Sequence, residues 1–133
     1  MSGFTLQIQD ATQTRDIDDV RSFVGSDASG SFGLLPGHAR LITTLRFGLA
    51  RFRVGDGGWQ YLAVPGAVLY FAGTRLWIGT RRYLLDDDYG RISRVLGEQL
   101  AAEEQELHST KDSLRRMEEA LLRRLWQLGQ AGG

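Results

Sequence analysis

The chain has 133 residues, a length that predicts one domain, or one small domain with an appendage. Hydrophobic residues make up 42% and charged residues 24%, close to globular averages, which argues against a disordered chain. The 16 basic residues balance the 16 acidic ones and cysteine is absent. The sequence therefore disfavours a dedicated nucleic-acid binder, and it excludes a disulfide scaffold, cysteine catalysis and thiolate metal sites.

Up to residue 86 the chain has the period of β-strands. Phe4, Leu6 and Ile8 alternate with polar residues, as in a half-buried strand. Further strands are predicted at 20–24, 41–45, 49–54, 59–64, 67–72 and 75–82, with turns that contain glycine between them. Many short strands with frequent turns indicate a β-sandwich or barrel. We expect no secretory signal and no membrane span, and hence a soluble, cytoplasmic protein.

After Asp86-Asp87-Asp88 the period becomes helical, and this acidic triplet predicts an N-cap. Ile92, Val95, Leu96 and Leu100 lie on one apolar stripe, with Leu107 further along it. A second stripe comprises Leu114, Met117, Leu121, Leu125 and Leu128. His108-Ser109-Thr110 interrupts the pattern, so we predict a two-helix hairpin, with one long helix as the alternative. The predicted fold is a β-sandwich domain over residues 1–86 followed by a helical hairpin over residues 87–133.

One segment between predicted strands has an unusual composition. Residues 27–39 read Asp-Ala-Ser-Gly-Ser-Phe-Gly-Leu-Leu-Pro-Gly-His-Ala, which is too rich in Gly and Pro for an interior strand throughout. Leu35-Pro36-Gly37-His38 has the form of a type II turn, with Pro at the second position and Gly at the third. The apolar side chains beside this turn are either packed inward or offered to a partner.

These residues resemble the signature of the epsilon subunit of F-type ATP synthases. The block Gly-Ser-Phe-Gly-Leu-Leu-Pro-Gly-His-Ala at 30–39 carries the likeness, and residues 19–22 and 61–69 extend it. A break near residue 86 followed by two helices is also the architecture of that family. The sequence Ser-Gly-Ser-Phe-Gly-Leu-Leu-Pro at 29–36 and the Leu-Arg-Arg-Leu at 122–125 are most similar to those of the alternate, Na⁺-translocating subgroup.

The resemblance implies a sandwich of two five-stranded sheets and a role in the rotor rather than in catalysis. It implies no cofactor, the gamma subunit and the c-ring as partners, and a peripheral place on the cytoplasmic face of the plasma membrane. The subunit would couple rotation to proton or sodium transport. Carried over by position, the contact with gamma and the c-ring lies at residues 31–38, here called the interface segment: Ser31, Phe32, Gly33, Leu34, Leu35, Pro36, Gly37 and His38.

The resemblance also implies that the C-terminal helices restrain ATP hydrolysis by contacting the alpha and beta subunits. The basic residues placed to do so are Arg115, Arg116, Arg123 and Arg124, and a solvated face is the alternative. Trp126 is expected either to anchor the tail on the sandwich or on gamma, or to be buried in the seam of the hairpin.

Some relatives bind ATP at the start of the tail through a motif of the type Ile/Leu-Asp-x-x-Arg-Ala. Asp88 and Arg91 fit a weak nucleotide site of this kind, but Asp87 and Ile92 depart from the motif. A capping aspartate and a solvated arginine are the alternative interpretation. No phosphate-binding Gly-x₄-Gly-Lys-Ser/Thr loop is present, so the chain is not expected to hydrolyse nucleotides.

No nucleophile–base pair and no set of metal ligands has the spacing of a known catalytic or metal-binding motif, so we predict no catalytic residues and no metal site. The alternative function is a stand-alone β-sandwich adaptor whose helical tail binds a different partner.

Overall fold

The computed structural model describes residues 3–131, which form a β-rich part followed by helices. The strands of the described residues are β1 (Phe4–Gln9), β2 (Thr14–Asp27), β3 (Gly30–Leu34), β4 (Leu41–Leu45), β5 (Gly48–Val54), β6 (Trp59–Val64), β7 (Ala67–Ala72), β8 (Arg75–Gly79) and β9 (Leu84–Asp86). The helices are α1 (Tyr89–Val95) and α2 (Ala101–Ala131), with a π-helical turn, Leu96–Leu100, between them in sequence.

The strands form one hydrogen-bonded path in the order β4-β7-β8-β1-β2-β5-β6-β9, with β3 also paired to β2. The pairs are antiparallel except β1 with β8, which is parallel. β2 pairs with β1 through its first half and with β5 and β3 through its second half. Its register shifts on either side of Val20, and Asp19 has φ +58°. Because such irregularities bend a strand, β2 can belong to two layers.

Side chains from both layers share one core, in which Leu6 and Ile78 of one layer and Phe52 and Leu62 of the other are fully buried. A single open sheet would leave one of its faces to solvent, so this complete burial requires the two layers to face each other. The predicted β-sandwich is therefore confirmed. Counting β2 in both, each layer contains five strands.

The structure contains strands that the sequence pattern did not predict. β3 contains Gly30 and Gly33, and its composition was typical of a loop, yet it pairs with β2 from Gly30 opposite Asp27 to Leu34 opposite Phe23. β9 is a short strand paired to β6. β2 begins well before the predicted strand at 20–24, in a polar stretch. Backbone pairing at a sheet edge requires no apolar alternation, which is why periodicity does not detect such strands.

α1 begins where the acidic triplet predicted it. Asp88 is the N-cap, and its Oδ1 accepts a hydrogen bond from the Arg91 backbone N–H at 2.8 Å. Ile92 is buried against Ala63 of β6, with Leu96 packed beside them. The first of the two compact units of the chain therefore includes α1 and ends at residue 100.

α2, which belongs to the second compact unit, is one uninterrupted helix of 31 residues. The predicted hairpin is wrong, because the helix continues through His108, Ser109 and Thr110. These residues lower helix propensity by only a few tenths of a kcal/mol each, and no Gly or Pro stands there to stop the helix. Asp112 contacts His108 at 3.7 Å and Arg115 at 3.4 Å, at the i,i+4 and i,i+3 spacings of a continuous helix. Since the hairpin has no seam, the predicted burial of Trp126 in that seam is also wrong, and its side chain is 65% exposed.

Candidate functional site

The interface segment divides into a strand and a tight turn. Ser31 to Leu34 belong to β3, where Leu34 is fully buried and Phe32 is half-buried against the core. Ser31 and Gly33 point to solvent, as the alternation of a strand requires. Of the apolar side chains beside the predicted turn, Phe32 and Leu34 are therefore packed inward, and they do not form a surface patch with Leu35.

The turn holds the exposed part of the segment. The Leu35 carbonyl accepts a hydrogen bond from the His38 N–H at 3.1 Å, and Gly37 has φ +86°. These values fit the predicted type II turn, in which the third residue has a positive φ. Leu35 is 62% exposed, although it directly follows a fully buried residue. His38 is also exposed, its ring meets Phe71 edge to face at 6.0 Å, and its Nδ1 lies 2.6 Å from the Ala39 carbonyl.

A hydrogen-bond network fixes the other end of β3. The Asp27 carboxylate accepts bonds from the Ser29 hydroxyl at 2.5 Å, the Ser29 backbone N–H at 2.9 Å and the Thr43 hydroxyl of β4 at 2.7 Å. The bonds from Ser29 and Thr43 hold the pKa of Asp27 below its usual range, because they favour the charged form. The β2–β3 hairpin is thereby tied to β4.

An open cleft of about 280 Å³ lies beside Ser31 on the outer face of the layer that contains β5 and β6. Its lining includes Ser26, Ser31, Arg51, Tyr61 and Tyr89. The two tyrosine rings meet edge to face, with centroids 5.4 Å apart. The described residues that line the cleft include no carboxylate and no imidazole.

Arginines stand over an aromatic ring next to this cleft. The guanidinium carbons of Arg51 and Arg53 lie 4.6 and 4.2 Å from the Trp59 ring centroid. Such cation–π contacts hold the two cations close to the sheet surface. The alternation of Arg51 and Arg53 on one face was evident from the sequence, but their partner Trp59 belongs to the next strand.

At the start of the helical part an arginine is paired with carboxylates. Arg91 donates to both carboxylate oxygens of Asp86, through Nε at 2.6 Å and through a terminal nitrogen at 2.6 Å. Asp87 lies 3.6 Å from the same guanidinium. This fork is the largest cause of the lowered pKa of Asp86 and of the raised pKa of Arg91. The capping role proposed for Asp88 is confirmed, and Arg91 is paired with Asp86 while 56% of its side chain remains exposed.

This pairing weighs against an anion at the predicted nucleotide site. The Oδ1 atom of Asp88 already accepts the hydrogen bond that caps the helix, and Arg91 is already bound to the Asp86 carboxylate. A phosphate approaching Arg91 would meet the Asp86, Asp87 and Asp88 carboxylates around it.

Arg115, Arg116, Arg123 and Arg124 lie within about half of the circumference of α2, at about 100° per residue. Arg115 and Arg116 are consecutive, as are Arg123 and Arg124, so each pair spans about 100° of the circumference. Arg115 has a weak contact with Asp112, at 3.4 Å. Among the residues whose side chains the structure describes, no helix is both long and apolar enough to cross a membrane, and no group of His, Asp or Glu side chains is arranged to hold a metal ion.

Comparison with known proteins identifies the sandwich. Residues 4–84 match the family described as the β-sandwich domain of the ATP synthase delta/epsilon chain. The chain belongs to the ATP synthase epsilon-chain family.

Two curated relatives of this epsilon-family chain carry the same family name. It is 38% identical over 89 residues to ATP synthase epsilon chain 2 of Cereibacter sphaeroides, a match that covers 66% of this chain and 61% of the relative. It is 30% identical over 118 residues to ATP synthase epsilon chain 1 of Syntrophotalea carbinolica, covering 87% of this chain and 84% of that one.

Solved structures share the fold of this epsilon-family chain. A chain of the Euglena gracilis mitochondrial ATP synthase (OSCP/F1/c-ring) superposes with a TM-score of 0.59 at 16% identity, covering 74% of this chain and 64% of that chain. A chain of the Tetrahymena thermophila mitochondrial ATP synthase (central stalk/c-ring) gives 0.51 at 10% identity, with coverages of 63% and 69%. At such identities the likeness concerns the fold alone.

Proposed function

We propose that this chain is the non-catalytic epsilon subunit in the central stalk of an F-type ATP synthase, where it joins the gamma subunit to the c-ring. The observation that carries the proposal is the family match over residues 4–84, which spans the whole sandwich up to β9. Two relatives named ATP synthase epsilon chain support it. In this role the chain is a peripheral component on the cytoplasmic face of the membrane.

Within this proposal, the turn at Leu35–His38 makes the contact, and the rest of the interface segment supports it. Leu35 offers a large apolar side chain to solvent, while Leu34 and Phe32 anchor the strand in the core. The Asp27 network fixes the far end of the same hairpin. A rotor joint transmits torque and therefore needs a stiff mount, which a close-packed sandwich provides.

The interface proposal is tested with Leu35→Ser in the full chain, with Ile42→Ser as the matched control. Both side chains are more than 60% exposed, so neither change removes a core contact. We expect Leu35→Ser to weaken capture of the gamma subunit encoded with this chain, or of a gamma–c-ring complex, and Ile42→Ser to leave it unchanged. If both variants capture gamma as well as the original chain does, Leu35 and its turn are not part of the interface.

The C-terminal helix is proposed to restrain ATP hydrolysis by contacting the alpha and beta subunits. The basic residues of α2 that would meet acidic loops are Arg115, Arg116, Arg123 and Arg124. The pairing of Arg91 with Asp86 leads us to leave a nucleotide ligand out of this proposal. The proposal leaves both a proton and a sodium ion as the coupling ion, and a Na⁺ titration of ATPase activity in the assembled complex distinguishes them.

One experiment separates the coupling role from the restraining role. The full chain and a chain ending at residue 100, which keeps α1 and Ile92 in place, are compared for binding to gamma and for their effect on ATPase activity of the soluble complex. We expect both to bind, and only the full chain to lower hydrolysis. If the full and the shortened chain give the same ATPase activity, the subunit joins gamma to the c-ring but its C-terminal helix does not restrain hydrolysis. If neither chain binds gamma, the stand-alone adaptor becomes the better account.

A further inference from the structure

A narrow line of exposed apolar side chains runs along α2. At about 100° per residue its members fall within about 80° of the helix circumference. We call them the leucine stripe: Leu107, Leu114, Met117, Leu121, Leu125 and Leu128. Each of these side chains is at least 43% exposed. The stripe is therefore an open apolar surface about three heptads long.

The spacing of the stripe selects another helix as the surface that covers it. Four of its leucines recur every seven residues, from Leu107 to Leu128, which is the repeat of a coiled-coil seam. These leucines take position a of the heptad, and Met117 takes position d. α2 makes up the whole described part of the second compact unit, so that part holds no second helix to cover the stripe. A helix of this kind gains most of its stability from packing against a partner.

The charges beside the stripe favour a second copy of α2 that runs in the opposite direction. Lys111 and Glu118 both take position e, on the same flank of the seam. In an antiparallel pair of identical helices, the e positions of the two copies face each other. With Leu114 of one copy level with Met117 of the other, Lys111 of each copy lies beside Glu118 of the second copy. The twofold symmetry then forms this ion pair twice.

A parallel pair is disfavoured by the same sequence. In that arrangement each d position meets its own counterpart, so Arg124 of one copy would face Arg124 of the other within the seam. Like charges in such a partly desolvated position repel each other. The antiparallel arrangement places the two Arg124 side chains at opposite ends of the seam. The heptad pattern and the charges therefore agree on one orientation.

We propose that two copies of this chain form an antiparallel two-helix coiled coil through the leucine stripe of α2, with Lys111 of each copy paired to Glu118 of the other. Arg115, Arg116 and Arg123 lie outside the stripe, and the dimer uses none of them. The dimer is a form of the chain outside any larger complex. It does not depend on the assignment to the rotor, because the experiments below use this chain alone.

The first test is sedimentation equilibrium of the full chain over a range of concentrations. We expect a monomer–dimer equilibrium. Leu114→Ala with Leu121→Ala should raise the dimer dissociation constant at least about a hundredfold, because each substitution removes a buried leucine from both copies. The control is Leu122→Ala with Trp126→Ala, which truncates two side chains that are equally exposed but lie outside the stripe. It should dimerise like the original chain, and circular dichroism should show that every variant keeps its helix, since alanine favours helix.

The second test reverses charges to determine the orientation. Lys111→Glu and Glu118→Lys should each weaken the dimer, on the order of tenfold, because each change places like charges together at two symmetric sites. The double variant, Lys111→Glu with Glu118→Lys, should restore the original affinity. In a parallel pair Lys111 faces Glu106 of the other copy instead, so the double variant would not restore it.

Three results would overturn the proposal. A full chain that stays monomeric at every concentration tested would assign the stripe to a different partner. A dimer that the stripe variant and the control weaken equally would lie outside the stripe. A dimer that the double charge reversal fails to restore would not have the antiparallel arrangement.

Discussion

The contact between Ile92 and Ala63 is predicted to hold the first helical turn on the sandwich. Ile92 is 1% exposed and Ala63 is fully buried. Ile92→Ala removes the carbon atoms beyond Cβ, which contribute about 2.4 kcal/mol at about 0.8 kcal/mol per buried methylene-sized group. Ile→Ala in a closed core costs about 2–5 kcal/mol because a cavity remains. Here the surrounding Leu49, Tyr61 and Leu96 are only half-buried and can relax into the space, so we expect about 2 kcal/mol.

Native-state hydrogen exchange measures this loss at the helix itself. The Ile92 amide donates to the Asp88 carbonyl at 3.1 Å, and the Leu96 amide donates to the Ile92 carbonyl, so both report on α1. A loss of about 2 kcal/mol predicts about thirtyfold faster exchange at these amides if α1 opens locally. Amides in the β7–β8 pair, such as those around Leu76, should accelerate much less.

Arg94→Ala is the matched control, because Arg94 lies on the exposed side of the same helix and Ala and Arg have similar helix propensities. Its amides should exchange within about threefold of those of the original chain. If Ile92→Ala changes α1 exchange no more than Arg94→Ala does, the contact does not hold the helix. If the β7–β8 amides accelerate as much as those of α1, the helix and the sandwich open as one unit, and the idea of a separately held α1 is refuted.

Two further predictions concern protonation and backbone conformation. The pKa of Asp86 is lowered chiefly by Arg91, and that of Asp27 chiefly by hydroxyl hydrogen bonds, so both stabilise the folded state fully above about pH 4 and lose that effect as pH falls further. In Asp86→Asn, the hydrogen exchange of α1 amides should therefore no longer accelerate as pH falls below about 4, whereas the exchange of amides in the β2–β3 hairpin should still do so. If the pH dependence of α1 exchange is the same as in the original chain, the Arg91–Asp86 ion pair does not stabilise α1. Gly37→Ala places a side chain at φ +86° and should lower the free energy of unfolding by about 1 kcal/mol. Gly58→Ala, at an open position outside the left-handed region, should raise the free energy of unfolding by up to about 1 kcal/mol. If denaturant titration gives the two variants the same free energy of unfolding, the turn at Gly37 does not require a positive φ.

The local predictions succeeded where a side-chain pattern and the local environment agree. Ala50 and Phe52 alternate with arginines, and the structure buries the first two and exposes the arginines. Gly55 has the predicted positive φ at the β5–β6 hairpin, and Asp88 caps the predicted helix start. In each case the side chain or the glycine acts within a few residues of its own position, so one stretch of sequence contains the cause.

The predictions failed where the deciding contact comes from elsewhere in the chain. β3 was missed because its pairing depends on β2 rather than on its own composition. The hairpin was wrong because three helix-neutral residues at 108–110 were taken as a break, although weak preferences of this size do not end a helix. The interface segment was found by its likeness to a known family, but the division of its residues between buried anchors and an exposed turn was not.

The sequence by itself determined the strand and helix periods, the turn positions and the family, because these depend on local side-chain chemistry and on a motif at 30–39. Only the tertiary structure decided that Leu34 is buried in the core while Leu35 is exposed. The alternation of a strand separates two faces, but which face is buried depends on where the other sheet packs. The tertiary structure also decided that Arg91 pairs with Asp86, since the guanidinium reaches that carboxylate only after the chain turns from β9 into α1.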